Sequence, residues 1–284
     1  MEWVELVVPC AELADEVAAL LAELVGGGGV EVRGADIVSW ARADEADGAR
    51  AVLAGAVARL RDAGFAVDPA TIAVWPAAPE DEWRDAWKRF FTVTRIGEHI
   101  VIVPSWETYA PRPDDVVLDL DPGRAFGTGA HASTRLCLVE LDALAAQGAR
   151  VDRFLDVGTG SGILSIAAAK LWPGATGEAI DVDPIAVAAA ADNLARNGID
   201  RVATSDRAVD AVAGRFDLVV ANIQADVLER MAGALAARTT GRLVLSGLLL
   251  DQVGPIRETF ARTGLRVDGT RAIDEWGAVV LSAP

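Results

Sequence analysis

The stretch "RFLDVGTGSGILSIAAAKL", Arg153–Leu171, decides the fold. A short apolar run ends in three glycines, Gly158, Gly160 and Gly162, and an alanine-rich run of helical character follows at once. Strand, glycine turn and helix in that order make a nucleotide-type ligand a credible reading of the turn. Glycine lets the backbone approach a ligand as no residue with a Cβ can. The spacing is G-x-G-x-G: residue 163 is isoleucine, so the third glycine comes one position earlier than in a dinucleotide fingerprint. A pyrophosphate needs a helix N-terminus aimed at it, whereas a cofactor without phosphate does not. A tight β-α connection that holds no ligand is the other reading.

Downstream, strands and helices alternate through "GEAIDVD", "PIAVAAAADNLARNG", "RVATSD", "FDLVVANI", "VLERMAGALAART", "GRLVLSGLL" and "VGPIRETFART", before a closing "GLRVDGT" and "WGAVVLSA". The alternation, taken from Val116 onward, predicts a parallel, doubly wound, Rossmann-like α/β sheet with antiparallel strands at its end. Asp181 stands 23 residues after Gly158, at the end of the second strand, placed to accept hydrogen bonds from both hydroxyls of a ribose. Asp183, with Pro184 next, reads as the N-cap of the following helix. A ribose partner beside a turn not shaped for pyrophosphate suits S-adenosylmethionine. Asn222 falls just past the carboxyl end of a buried strand, where open α/β sheets bind ligands. Its side chain offers one acceptor and one donor group, which suits an amine whose lone pair must be aimed at a sulfonium methyl. On a purely structural reading, Asn222 would instead cap the next helix.

Upstream, "EWVELVV" alternates as a strand does, and "AELADEVAALLAELVGGGG" reads as an amphipathic helix closed by glycines. The short strands "GVEVRG" and "ADIVSWA", the helix "DGARAVLAGAVARLRDAGF" and the strand "TIAVWP" follow. The order β-α-β-β-α-β within residues 1–76 predicts a ferredoxin-like α+β domain. Nothing in it looks catalytic, so it reads as a recognition module or as a structural or dimerisation domain. Residues 77–92 read as a linker with a short, tryptophan-marked helix, and residues 93–284 as the methyltransferase domain. Within the latter, "TVTRIGEHIVIVPSW" predicts a hairpin turning at Gly97-Glu98.

Hydrophobic residues make up 52% of the 284 and charged residues 24%, a balance that supports a sizeable core and excludes the disordered class. The net charge is −16, which argues against a broad phosphate-binding surface and makes a basic protein the more natural partner. Residues 1–76 hold thirteen carboxylates against five arginines, half of that net charge. Cys10 and Cys137 lie in unrelated contexts, no His/Cys spacing fits a metal site, and reduced thiols are expected. The acidic start has no secretory character, and no apolar run is long enough for a membrane span. The expectation is a cytoplasmic protein with no metal.

The segments "LDPGRAFGTGAHASTRLCL", "FLDVGTGSGILSIAAAKL", "DVDPIAVAAAADNLARNG", "DLVVANIQADVL" and "DEWGAVVL", with the W-R-x-x-W-K-x-F-F pattern from Trp83 to Phe91, resemble the bacterial ribosomal protein L11 methyltransferase family. The resemblance implies a protein-lysine N-methyltransferase that uses S-adenosylmethionine. Its targets would be lysine side chains and the N-terminal amine of a basic ribosomal protein, L11, gripped by the N-terminal domain. It further implies that Phe126, Gly127, Thr128 and Gly129 form a wall over cofactor and amine. Phe126, Thr128 and Asn222 would then be catalytic, while Thr134, Gly158, Gly160, Asp181 and Asn222 would bind the cofactor. His131 matches a family histidine that binds, packs or caps a helix. Two positions depart from the family pattern: Ala132-Ser133-Thr134 after the histidine, and Gln224 where ANILA is usual. Gln224 bears on substrate choice.

Other readings are a lysine methyltransferase of another protein, such as an electron-transfer flavoprotein subunit, and a cofactor-binding protein without catalysis. An adenine methyltransferase is disfavoured, since Asn-Ile-Gln-Ala lacks the aromatic platform a flipped base would need. A monomer that acts without direct nucleic-acid contact is expected, with a hinge near Pro76–Trp87.

Overall fold

A computed structural model describes residues 3–10, 17–18, 21, 30–34, 36–76, 92–121, 129 and 131–284. The chain divides into two compact units, Met1–Phe90 and Phe91–Pro284. In the first, strands β1 (Trp3–Pro9), β2 (Val30–Arg33), β3 (Asp36–Arg42) and β4 (Ala73–Pro76) form an antiparallel sheet in the order β2-β3-β1-β4. Period-two alternation turns Leu6 and Val8 of β1 inward. Helix α1 (Ala46–Asp62) meets them with Leu53, Ala56, Val57 and Leu60, a spacing that keeps all four on one helical face. The helix expected from "AELADEVAALLAELVGGGG" lies mostly outside the described residues; Val17, Ala18 and Leu21 are helical and join the same core. Of the linker expected at 77–92, only Thr92 is described.

The second unit opens with the hairpin, β5 (Thr94–Ile96) and β6 (Ile100–Pro104), turning through Gly97 to His99. Strand β7 (Val116–Leu120) pairs parallel with β6 in a three-stranded sheet of order β5-β6-β7. Contrary to the expectation of one alternating sheet from Val116 onward, the strand that begins at Val116 is not part of the main sheet. The cause lies in β6, whose five residues are all buried. Such a strand cannot remain the edge of a hairpin, and β7 covers its second side.

The main sheet follows helix α2 (Ala132–Ala146). It is built from β8 (Arg153–Val157), α3 (Ile163–Leu171), β9 (Thr176–Ile180), α4 (Pro184–Arg196), β10 (Val202–Ser205), β11 (Phe216–Asn222), α5 (Ala225–Arg238), β12 (Thr239–Leu249), α6 (Leu250–Ala261), β13 (Arg266–Ile273) and β14 (Trp276–Ser282). The strand order is β10-β9-β8-β11-β12-β14-β13, parallel from β10 to β12, with β14 antiparallel to both its neighbours. Strand residues alternate between two cores, Phe154, Leu218, Val220 and Val244 on one face and Leu155, Val219, Ala221, Leu243 and Leu245 on the other. From β8 the chain winds outward to β9 and β10, then returns to the other side as β11. The switch point between β8 and β11 is where an open α/β sheet leaves a crevice at its carboxyl rim. Among the described residues no helix is long and apolar enough to cross a membrane, and no group of three or more His, Cys, Asp or Glu is placed to hold a metal.

Candidate functional site

The glycine turn leaves β8 with Gly158, Gly160 and Gly162 at φ of 74°, 55° and 83°, in the left-handed region that side chains rarely adopt. The amides of Gly158 and Thr159 donate to the Ile180 carbonyl at 2.9 and 3.0 Å, which fastens the turn to the end of β9. A Cβ on Gly158 would overlap the Ile223 side chain, and one on Gly162 would lie 3.0 Å from Ala190 Cα. The first glycine therefore admits the chain after β11, and the third admits helix α4.

Beneath the turn sits Asp156, 1% exposed. Its Oδ2 accepts from Thr159 Oγ1 (2.7 Å), Ser165 N (3.1 Å) and Ser165 Oγ (2.7 Å). Among the described residues, Oδ1 has no hydrogen-bond partner. Burial holds the Asp156 carboxyl up at about 6; the bonds from Thr159 and Ser165 pull against that rise and the Asp181 charge adds to it. Asp156 clamps the turn from below, a role that nothing in the residue spacing marks.

Asp181 follows β9 and is half-buried at the rim. Its Oδ2 accepts from Gly160 N at 2.9 Å and its Oδ1 from Asp183 N at 3.1 Å. Two backbone amides thus fix the carboxylate while each oxygen keeps further lone-pair capacity. Asp183 caps α4 through Ile185 N at 2.8 Å, with Pro184 in the first turn.

Across the switch point, Asn222 ends β11, and its Nδ2 donates to Thr134 Oγ1 at 3.1 Å. Thr134, 1% exposed, lies in the first turn of α2. This bond fixes the asparagine amide and leaves Oδ1 to accept an N–H. Asn222 is not a cap: the N-cap position of α5 belongs to Gln224, which makes no side-chain capping bond and is exposed. His131 is the N-cap of α2, its Nδ1 accepting from Ser133 N at 3.3 Å, and its ring meets Trp276 edge-on with centroids 4.5 Å apart. Of the roles left open for His131, capping and packing are both seen.

These groups line one cleft of about 850 Å³ at the carboxyl rim, which gathers Thr134, Gly158, Gly160, Asp181 and Asn222 together with His131, Gln224 and Trp276. Arg207 and Arg230 also line it, and no pattern in the sequence marked them. Phe126 and Thr128 lie outside the described residues. Gly129, at φ 80°, sits where a Cβ would overlap Ile102 and press on Ile163.

A seven-stranded sheet with one reversed strand, a G-x-G-x-G turn at its switch point and an acidic residue after the neighbouring strand define a Rossmann-like methyltransferase. The chain belongs to the ribosomal protein L11 methyltransferase family: the model of "Ribosomal protein L11 methyltransferase (PrmA)" matches residues 2–283. A ribosomal protein L11 methyltransferase of Geobacter sulfurreducens is 41% identical over 98% of this chain and 97% of its own length. One from Symbiobacterium thermophilum is 42% identical over 79% of this chain and 73% of its own. The crystal structure of a ribosomal protein L11 methylase from Lactobacillus delbrueckii subsp. bulgaricus matches with a TM-score of 0.62 at 34% identity, covering 68% of this chain and 99% of that one.

Proposed function

We propose that this chain transfers methyl groups from S-adenosylmethionine to lysine side-chain amines and the N-terminal amine of ribosomal protein L11. The observation that carries the reading is the Asn222–Thr134 bond of 3.1 Å, facing Asp181 and the glycine turn in one cleft. The residues present fit the cofactor: the glycines keep the β8 end open to close approach, and Asp181 is fixed to receive a ribose. When bound, the cofactor supplies a methyl group on a positively charged sulfur, already activated for attack.

The chain then has to hold a neutral amine in line with that methyl. Asn222 Oδ1 would accept one amine N–H, and backbone carbonyls after β11 would take others, so the lone pair points into the cleft. Orientation of this kind can supply much of the barrier reduction. A lysine amine has an ordinary pKa of about 10.4 and an α-amine of about 7.7, so the lysines have to lose a proton first. The carboxylate excess within residues 1–76 suits a basic partner, and the N-terminal unit would act as a ferredoxin-like recognition domain. The enzyme would work as a cytoplasmic monomer.

The test is incubation with labelled S-adenosylmethionine and a cell extract, followed by identification of the labelled polypeptide. Label on L11 is the expected result. Label on RNA, or on another protein alone, would refute the substrate assignment.

A further inference from the structure

We infer that Asn193, on α4 and not among the expected cofactor-binding or catalytic residues, is a positioning residue that couples the end of β7 to the cofactor turn. The inference rests on the methyl-transfer reading. Asn193 is 2% exposed. Its Oδ1 accepts from Asp121 N at 3.1 Å, and its Nδ2 donates to Asp121 O at 3.0 Å and to Ser161 O at 2.9 Å. Both amide hydrogens and the carbonyl are thus engaged, all three with backbone. Asp121 is the residue from which the chain enters 122–128, the segment that carries Phe126 and Thr128. Ser161 stands between Gly160 and Gly162 of the cofactor turn. One side chain therefore ties the residue that precedes the first glycine-rich segment to the backbone of the second.

Asn197, one turn on, provides an internal control. Its Oδ1 accepts from Asp119 N at 3.0 Å and its Nδ2 donates to Asp119 O at 2.6 Å and to Asn193 O at 2.8 Å. Four helical residues rise about 6.0 Å and two strand residues about 6.7 Å, so the two asparagines address alternate residues along the outer edge of β7. Both act as surrogates for a missing neighbour strand, and only Asn193 also reaches the cofactor turn. A purely structural role would make the two equivalent. Coupling makes them different, because without Asn193 the Ser161 carbonyl loses a buried donor. The turn would then hold Gly160 less firmly against Asp181.

The experiment compares Asn193→Ala and Asn197→Ala in the full chain, by calorimetric titration with S-adenosylhomocysteine and by thermal melting. Both variants should melt earlier. Asn193→Ala should raise Kd about tenfold, equivalent to about 1.4 kcal/mol, while Asn197→Ala stays within twofold. Should Asn193→Ala not fold, Asn193→Ser, which keeps one hydroxyl donor, is titrated in its place with the same expectation. Equal shifts in the two variants, or none at position 193, would overturn the inference and leave Asn193 a strand clamp. Failure of the wild-type chain itself to bind S-adenosylhomocysteine would overturn the methyl-transfer reading and the inference with it, a result readily told apart from equal shifts.

Discussion

The two rims of the seven-stranded sheet both carry charge and both open onto a cavity, yet they are built to opposite ends. At the amino rim, Asp268 takes Arg242, Arg266 at 2.8 Å and Ser282 at 3.1 Å, and Asp217 takes the amides of Asp152 and Arg153 at 2.9 Å each. Arg215 donates to the Thr239 carbonyl at 2.8 Å. The cleft there holds about 340 Å³, less than half the volume at the other rim. At the carboxyl rim, Asp181 and Asn222 are held by backbone or buried partners on one side and face open volume on the other. A site is therefore marked by hydrogen-bonding capacity that the fold fixes in place without consuming. Density of charge alone does not distinguish the two rims.

Substitutions should separate the rims. The largest effect is expected at Asn222→Ala, a fall of about 100-fold in kcat/KM for L11 from lost orientation, with cofactor affinity measured alongside to separate binding from transfer. Asp181→Ala removes the fixed carboxylate; a hydrogen bond to a charged group contributes about 1.5–3 kcal/mol. Calorimetry with S-adenosylhomocysteine should show Kd higher by one to two orders of magnitude, with a small change in melting temperature.

Asp156→Asn probes the clamp beneath the turn. An ordinary carboxyl titrates near 3.9, and the native Asp156 is held at about 6. Between those values the folded state binds the extra proton, so this group favours folding below pH 4 and loses that contribution as pH rises through 6. The variant should accordingly gain on the wild type in melting temperature as pH goes from 4 to 7. A difference that does not vary with pH would show that Asp156 titrates normally.

The smallest effect is expected from Asp268→Ala at the amino rim. A partly exposed pair cluster there should contribute about 1 kcal/mol to stability, and methyl transfer at saturating substrate should be unchanged. Loss of activity in Asp268→Ala without loss of fold would break the comparison between the rims.

Much of this was legible in the sequence. Three glycines after an apolar run announce a turn with positive φ, an Asp-Pro pair announces a helix start, and an asparagine at the end of "FDLVVAN" falls at a strand terminus because strand length and sheet rim coincide. The membership of β7 was hidden, since pairing with β6 depends on which edges remain uncovered after the main sheet has formed. Asn193 and Asn197 were hidden for a related reason. In "ADNLARNG" two polar residues four apart look like the wet side of an amphipathic helix, and only the tertiary register shows them turned inward against a strand. Asp156 sat in plain view inside the motif, but its bonds to Thr159 and Ser165 span the turn and carry no periodic signal.

The paired asparagines also limit how this enzyme can diverge. A helix and a strand joined like a zip at two teeth have to stay in phase. One residue inserted between positions 193 and 197 would rotate the second tooth by about 100°, the angle per residue of a helix with 3.6 residues per turn, and leave Asp119 bare. Length variation along α4 should therefore collect beyond its C-terminal end, in the connection to β10, where the zip has already closed.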